Sequence, residues 1–231
     1  MNKSRFIVPT RPIKKSLDDV ITVVLLCGAM GYRMKSYGPR CLIPYEGKTL
    51  LDHNIFNIKC VFPNSDIIIT TGFESDKITK KTNLRIVENQ LHETTNTMEE
   101  VRLAFNNCMT DNIVFINGNM VIQEGSLQGI TNRGSSVLVE DDVSNNEVGV
   151  TITDSYIQGF AYALKPKWKD IVYLEDREFK SLKKISSDRD INKWFLWEGL
   201  DKMLSKKCRL QPVHNQKEII KIERSKDIAN L

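Results

Sequence analysis

Short apolar segments alternate with amphipathic segments along the chain from Val20 onward. Several of the short segments are apolar at consecutive positions, which is typical of strands covered on both faces in a mostly parallel sheet. The predicted strands are residues 21–27, 67–71, 84–87, 112–116, 136–140 and 148–153. Segments 50–60 and 97–108 carry apolar residues at helical spacing and are predicted to be crossover helices. The pattern predicts an α/β fold, a Rossmann-like three-layer αβα sandwich around a mostly parallel central sheet.

The two ends of the chain depart from this alternation. Residues 1–19 contain prolines and basic residues without a periodic apolar pattern, so we expect a basic arm that precedes the fold. Near the other end, residues 192–204 are predicted to form an aromatic-rich amphipathic helix, and residues 219–222 a short last strand. Because no internal repeat or low-complexity linker divides the chain, residues 20–231 are predicted to form a single domain.

Composition and charge narrow the class of protein. With 41% hydrophobic and 27% charged residues, the chain of 231 residues has a globular composition. Much of the net charge of +4 comes from basic residues near both ends, which we interpret as solvated surface in preference to a nucleic-acid-binding patch. The five cysteines are scattered without a C-x-x-C pair, which argues against a disulfide framework or zinc site and favours a reducing cytoplasm. No apolar run reaches the roughly 18 residues that span a bilayer, so no membrane partner is expected.

The loop after the first predicted strand is rich in small residues. Small side chains at positions 28, 29 and 31 let the backbone approach a ligand and present its N–H groups. Arg33 and Arg40 follow and supply positive charge for phosphates. The loop is therefore predicted to grip the phosphates of a ligand. Its predicted ligand contacts are Leu26, Gly28, Ala29, Met30 and Gly31.

The string L-C-G-A-M-G-Y-R-M, followed by P-R-C-L and G-K-T-L-L, resembles the N-terminal signature of the sugar-nucleotide and choline-phosphate nucleotidyltransferases. Ala29 stands at the first glycine of that signature, and Arg40 stands at its lysine. The resemblance implies a MobA-like NTP transferase fold of GT-A type, in which the loop wraps the triphosphate. It further implies that Arg33 and Arg40 act in catalysis, by stabilising the phosphates as pyrophosphate departs.

Two later segments extend the resemblance. Residues 68–73 are similar to the second strand of the family and the turn beside which the nucleotide base lies, which implies a contact from Gly72. Residues 94–97 are similar to the family segment in which a helix N-terminus approaches the nucleotide, which implies a contact from Asn96. Asn96 is equally well placed to serve only as the N-cap of the predicted helix, and both interpretations stay open.

The chain departs from the family pattern where a metal would bind. Asn119 stands where the family has a metal-binding aspartate, and Glu223 stands at its late aspartate. The resemblance thus implies a Mg²⁺ or Mn²⁺ cofactor held by Asn119 and Glu223. An asparagine carbonyl offers a ligand atom without the charge that offsets the dehydration of the metal, so we expect weakened metal affinity. Two interpretations of Asn119 stay open. Its side chain either still serves as a metal ligand, or the replacement indicates that the protein has lost catalytic activity.

The segment that contains Trp197 and Glu198 resembles the acceptor-binding helix of choline-phosphate cytidylyltransferases. An aromatic ring with a carboxylate suits a quaternary amine through cation–π attraction. Trp194 and Trp197 lie three residues apart, however, which favours core packing on a helix.

These features predict an enzyme that transfers NMP from an NTP, with CTP favoured, to a sugar-phosphate or amino-alcohol-phosphate acceptor and releases pyrophosphate. Two alternatives stay open. One is a catalytically impaired NTP-binding module of the same fold. The other is a GT-A-like glycosyltransferase, against which the acid-free segment 117–119 argues.

Overall fold

The computed structural model describes residues 20–31, 34–142, 146–214, 217 and 219–228. The predicted basic arm 1–19 and the predicted catalytic residue Arg33 lie outside the described residues. No helix within those described ranges is both long enough and apolar enough to cross a membrane.

The described chain forms strands and helices in alternation. The strands are β1 (Thr22–Cys27), β2 (Pro44–Tyr45), β3 (Lys48–Thr49), β4 (Asp66–Thr71), β5 (Arg85–Glu88), β6 (Asn112–Asn117), β7 (Met120–Val121), β8 (Ser136–Glu140), β9 (Val148–Thr153), β10 (Tyr156–Tyr162), β11 (Lys167–Glu175), β12 (Gln211–His214) and β13 (Ile220–Lys221). The α-helices are α1 (Leu50–Val61), α2 (Ser75–Thr79), α3 (Thr97–Asn107), α4 (Asp176–Ser186), α5 (Leu196–Ser205) and α6 (Ser225–Ile228). Short 3₁₀ turns occur at Lys35–Tyr37, Arg40–Leu42 and Arg189–Ile191.

A nine-stranded sheet forms the centre, and its main path runs β10-β9-β11-β6-β1-β4-β5. Strand β1 pairs in parallel with β4 on one side and with β6 on the other. Its residues are buried along the whole strand, because both faces are covered. Val24 and Leu26 pack with α3, α4 and α5, whereas Val23 and Leu25 pack with α1 on the opposite face. This arrangement confirms the predicted three-layer α/β fold.

Two crossover helices begin at polar caps. The Thr49 hydroxyl accepts the Asp52 N–H at the start of α1, and the Asn96 carboxamide oxygen accepts the Thr97 N–H at the start of α3. Each bond satisfies one of the free N–H groups that a helix start leaves open. Both helices fall close to the residues that the apolar periodicity predicts.

The half of the sheet beyond β6 is largely antiparallel and was missed in part by the sequence pattern. Strand β11 runs antiparallel to β6 and β8, with a bulge between Trp168 and Val172. Charged residues at 167, 169 and 170 interrupt its apolar pattern. The strand tolerates a buried charge at Lys169 because this side chain donates to Glu140 Oε2 at 2.7 Å and to the Ile219 carbonyl at 2.7 Å. A buried charge that is paired in this way gives no apolar signal in the sequence.

The predicted helix 192–204 begins later than expected. Helix α5 starts at Leu196, and residues 189–191 form a separate 3₁₀ turn. The Phe195 N–H donates to Glu198 Oε2 at 2.8 Å, which fixes the helix start at this residue. Residues 192–195 therefore lie before the helix, and the prediction was wrong for them.

The positions of β4 and β6 decide where a ligand fits. Strands β4 and β6 lie on opposite sides of β1, so the order of the strands reverses at β1. A crevice opens at the carboxyl ends of strands where the order reverses in this way. Gly118 follows β6, and its N–H donates to the Leu26 carbonyl at 2.9 Å. The chain after β6 is thus tied to the end of β1.

Two glycines of the β9–β10 hairpin allow a matched test of the packing. A Cβ atom at Gly149 would lie 2.8 Å from the Pro166 carbonyl oxygen and closer still to that of Leu164, and backbone atoms cannot easily move aside. A Cβ atom at Gly159 would meet nothing closer than 3.4 Å. We expect Gly149→Ala to lower the free energy of unfolding by about 1–3 kcal/mol, as overpacking does. Urea unfolding measures the change, and Gly159→Ala is the control, with a clearly smaller loss expected. Equal losses in the two variants would contradict the described packing.

Candidate functional site

A cavity of about 660 Å³ lies at the carboxyl ends of β1 and β6. Nine of the residues singled out from the sequence line it, although they are far apart along the chain. They are Leu26, Ala29, Met30, Gly31, Arg40, Asn96, Asn119, Trp197 and Glu223. The predicted loop, metal and acceptor segments therefore border one space.

The glycine loop rests on a buried carboxylate. The Gly28 N–H donates to Glu100 Oε2 at 2.9 Å, and the Thr70 hydroxyl donates to the same oxygen at 2.6 Å. A Cβ atom at position 28 would lie 2.7 Å from Glu100 Cδ, so the close approach requires glycine. Gly28 thus anchors the loop to α3, and its N–H is already engaged by Glu100.

Glu100 itself was missed by sequence analysis. An acidic residue in the first turn of a helix ordinarily lies at the surface and interacts with the helix dipole. Here it is 3% exposed and also borders the cavity. Burial raises the pKa of the Glu100 carboxyl above its ordinary value, and the hydrogen bonds from Thr70 and Gly28 offset part of that rise.

Gly72 holds the turn after β4 against the loop. A Cβ atom there would lie 2.8 Å from the Gly28 carbonyl oxygen and 2.5 Å from His92 Cβ. The same Gly28 carbonyl accepts the Phe73 N–H at 3.1 Å. Gly72 is therefore adjacent to the loop, as the resemblance implies, although it does not line the cavity.

Arg40 brings a largely unengaged guanidinium to the cavity. Gly31 has a φ of +85°, and a Cβ atom there would lie 2.9 Å from Arg40 Cδ, so this glycine gives room to the arginine. Arg40 Nη1 donates to the Ile222 carbonyl at 3.3 Å, and its Nε has no partner among the described residues. Burial lowers the pKa of Arg40 from its ordinary value, while Glu223 offsets part of the effect. A half-buried cation with free donors favours an anionic ligand.

Asn96 serves as the N-cap of α3 and borders the cavity at the same time. Its carboxamide oxygen accepts the Thr97 N–H at 2.9 Å. The cap is thus observed, and the contact to a nucleotide stays a prediction.

Asn119 lies at the base of the cavity and is 2% exposed. Its Nδ2 donates to the Ile222 carbonyl at 3.0 Å, and the Ile222 N–H donates to the Asn119 carbonyl at 2.9 Å. Its Oδ1 has no hydrogen-bond partner in the described part of the chain. These bonds align β13 with β7 and bring the neighbours of Ile222 to the cavity.

An ammonium group lies between the acids beside Asn119. Lys221 Nζ is 2.7 Å from Asp170 Oδ2 and 2.7 Å from Glu223 Oε1. Burial by itself lowers the pKa of Lys221, but Asp170 and Glu223 together raise it above its ordinary value. All three residues line the cavity, and neither Lys221 nor Asp170 was predicted from the sequence.

The predicted metal pair does not fit a divalent ion in this arrangement. Mg²⁺ prefers anionic oxygen ligands, and Asn119 offers only a neutral oxygen. The carboxylates of Asp170 and Glu223 face the ammonium of Lys221 instead. Within the residues that the structure describes, no group of three or more His, Cys, Asp or Glu side chains is arranged to hold a metal ion.

Aromatic side chains form another wall of the cavity. Tyr162 and Trp197 are in edge-to-face contact with ring centroids 5.8 Å apart, and Trp168 and Phe195 also line this wall. Trp197 packs against the core as well, as its spacing predicts, and its contact with an acceptor stays a prediction. Glu198 does not line the cavity, because its carboxylate accepts the Phe195 N–H at the start of α5.

Residues 23–142 match the family model of the MobA-like NTP transferase domain. The chain belongs to this family. The predicted family and the predicted enzyme class, nucleotidyltransferase, are thereby confirmed. No curated protein matches this NTP transferase in sequence.

Solved structures share the fold of this NTP transferase. CTP:phosphocholine cytidylyltransferase from Streptococcus pneumoniae is 15% identical in sequence and has a TM-score of 0.74. The superposition covers 92% of this chain and 97% of the cytidylyltransferase chain. The inositol-1-phosphate CTP transferase from T. maritima is 12% identical, with coverage of 90% and 91% and a TM-score of 0.71. A putative glucose-1-phosphate thymidylyltransferase from Bacillus anthracis is 16% identical, with coverage of 91% and 93% and a TM-score of 0.71. At these identities the likeness shows the fold alone.

The buried carboxylate of this NTP transferase predicts a pH effect. Because the pKa of Glu100 is raised in the folded state, the unfolded chain releases this proton first as the pH rises from about 4.3, the unperturbed value of a glutamate. Above that value the unfolded state binds fewer protons, so the contribution of Glu100 to stability falls until the pH passes its folded pKa.

We expect Glu100→Gln to gain stability relative to wild type as the pH rises through this window. Urea unfolding of both proteins at a series of pH values measures the difference. The exposed Glu124 provides the matched control Glu124→Gln, whose difference from wild type should stay flat. A flat difference for Glu100→Gln would contradict a raised pKa at this site.

Proposed function

We propose that the protein transfers a nucleoside monophosphate from an NTP, with CTP favoured, to a sugar phosphate or amino-alcohol phosphate. The observation that carries this proposal is the position of Arg40, a half-buried guanidinium with free donors that borders the small-residue loop in the cavity. A triphosphate supplies the negative charge that such a group favours, and the loop leaves space for it.

The chemistry needs no nucleophilic side chain. An oxygen of the acceptor phosphate attacks the α-phosphorus of the NTP and forms the new P–O bond. The bond from the α-phosphorus to the bridging oxygen of the β-phosphate breaks, and pyrophosphate leaves with the electron pair. The protein contributes by aligning the two substrates and by stabilising the developing charge with fixed cations, of which Arg40 is our main candidate.

The aromatic wall supports an acceptor with an apolar or cationic portion. Tyr162, Trp168, Phe195 and Trp197 border the cavity on the side formed by β10, β11 and the start of α5. Aromatic faces attract quaternary amines, which supports an amino-alcohol phosphate acceptor. A structural neighbour named as a CTP:phosphocholine cytidylyltransferase supports CTP with an acceptor of that kind. The five cysteines are free, which supports a reducing compartment such as the cytoplasm.

A nucleotide screen tests binding and turnover in turn. Thermal unfolding in the presence of each of the four NTPs is expected to show the largest rise in Tm with CTP, because a ligand that binds only the folded state stabilises it. Pyrophosphate release is then measured with that NTP, Mg²⁺ or Mn²⁺, and a panel of sugar and amino-alcohol phosphates. Pyrophosphate is expected with at least one acceptor. No release in any combination would refute the catalytic proposal.

Arg40 provides a sharper test of the phosphate contact. We expect Arg40→Met to weaken NTP binding by about tenfold or more, because a charged hydrogen bond contributes about 1.5–3 kcal/mol. Titration calorimetry measures the Kd. Arg177→Met is the matched control, because Arg177 also donates to one backbone carbonyl, that of Lys206 at 3.1 Å, and does not line the cavity. An equal effect of the two substitutions would argue against Arg40 as a phosphate ligand.

A second candidate function is an NTP-binding module without turnover. It is favoured by the replacement of an acid at Asn119 and by the ammonium of Lys221 beside it. This candidate predicts that an NTP raises the Tm while no acceptor yields pyrophosphate. Asn119→Asp should then create activity only if the missing carboxylate is the sole defect. A glycosyltransferase gains no support, because the acid cluster that it needs is absent from residues 117–119.

A further inference from the structure

Lys221 reaches the cavity because of the way that β13 pairs. Lys221 lies opposite Met120 in the antiparallel pair of β13 with β7. Successive side chains of an extended segment point to opposite sides, so Ile222 turns into a buried apolar cluster while Lys221 and Glu223 turn to the cavity. The two hydrogen bonds between Asn119 and Ile222 fix this register. The ammonium is therefore built into the floor of the site.

Two carboxylates from different parts of the chain hold the ammonium. Asp170 has a φ of +52° and lies within the bulge of β11, and its Oδ2 is 2.7 Å from Lys221 Nζ. Glu223 Oε1 is also 2.7 Å from the same nitrogen. A lysine ammonium has three N–H donors, and these two contacts leave one of them for a ligand. The Lys221 side chain is 23% exposed, so it is fixed in place and still accessible from the cavity.

A divalent ion has no comparable place in this arrangement. To bind at Asp170 and Glu223, it would have to displace an ammonium that both carboxylates contact. The oxygen of Asn119 would add no negative charge to offset the dehydration of the ion. The resemblance implies a metal-binding acid where Asn119 stands, so this chain departs from that pattern at Asn119 and in the ammonium of Lys221 beside it.

We propose that the ammonium of Lys221, held between Asp170 and Glu223, acts beside Arg40 as a second fixed cation of this site and replaces a protein-bound divalent metal at the phosphates of the ligand. Asp170 and Glu223 are positioning residues in this arrangement. The inference rests on the proposed binding of an NTP in the cavity. Its consequence is that triphosphate binding does not require a divalent ion.

Titration calorimetry of the full-length protein tests this consequence with two probes, CTP and inorganic tripolyphosphate, each in excess EDTA and in Mg²⁺. We expect the two Kd values for each probe to agree within about threefold. Lys221→Met should weaken binding in EDTA by about tenfold or more, the effect of losing one charged hydrogen bond. Lys77→Met is the control, because Lys77 is paired with Glu74 at 2.8 Å and does not line the cavity. The Tm of each variant verifies that it is folded.

Mn²⁺ alone provides an independent measurement that does not depend on catalysis or on a variant. Electron paramagnetic resonance of Mn²⁺ mixed with the wild-type protein is expected to show only the free ion. The double variant Asn119→Asp/Lys221→Met removes the ammonium and adds a carboxylate, so it should bind Mn²⁺.

The outcomes separate this inference from the proposed function. Binding of CTP that is more than tenfold weaker in EDTA than in Mg²⁺, or a bound Mn²⁺ signal in the wild type, would overturn the inference and leave the proposed function standing. No binding of either probe under either condition would overturn both.

Discussion

The pairing of β1 on both of its edges is the constraint on which the site depends. Parallel partners β4 and β6 satisfy the backbone of β1, and helices cover both faces of the sheet, so the cavity meets this strand at its carboxyl end. Leu26 pairs with Asn117 at that end, which places the loop after β1 beside the segment after β6. The cavity lies where these two segments separate.

Charge burial shapes this cavity as strongly as the backbone does. A buried carboxylate is costly unless donors satisfy it, and Glu100 receives the Gly28 N–H and the Thr70 hydroxyl. This bond holds the loop in place. The Gly28 N–H is therefore already engaged and is not free to bind a phosphate. On the opposite side, the acids Asp170 and Glu223 are compensated by Lys221. These acids are therefore already paired within the protein, whereas Arg40 Nε has no hydrogen-bond partner among the residues that the structure describes.

The family assignment and the local chemistry answer different questions. The match over residues 23–142 assigns the chain to the MobA-like NTP transferases, and this part includes the loop, Arg40 and Asn119. Asp170, Trp197 and Lys221 lie beyond the matched range and also border the cavity. The aromatic wall and the ammonium of Lys221, on which our proposals for the acceptor and the fixed cation rest, thus belong to a part of the chain that the family match does not cover.

The sequence by itself determined the fold class, the strands with consecutive apolar residues, the crossover helices with the cap Asn96 and the small-residue loop, because these follow from local patterns. It also identified Arg40 and Asn119 as site residues through the spacing of a motif. It missed β11, whose charged residues are paired within the tertiary structure, and it missed Glu100 and Lys221. Glu100 meets Gly28, 72 residues before it, and Lys221 meets Asp170 only after β11 and β13 reach the same cavity. Only the tertiary structure decided these contacts, because the energy of a buried charge depends on partners that are distant in the sequence.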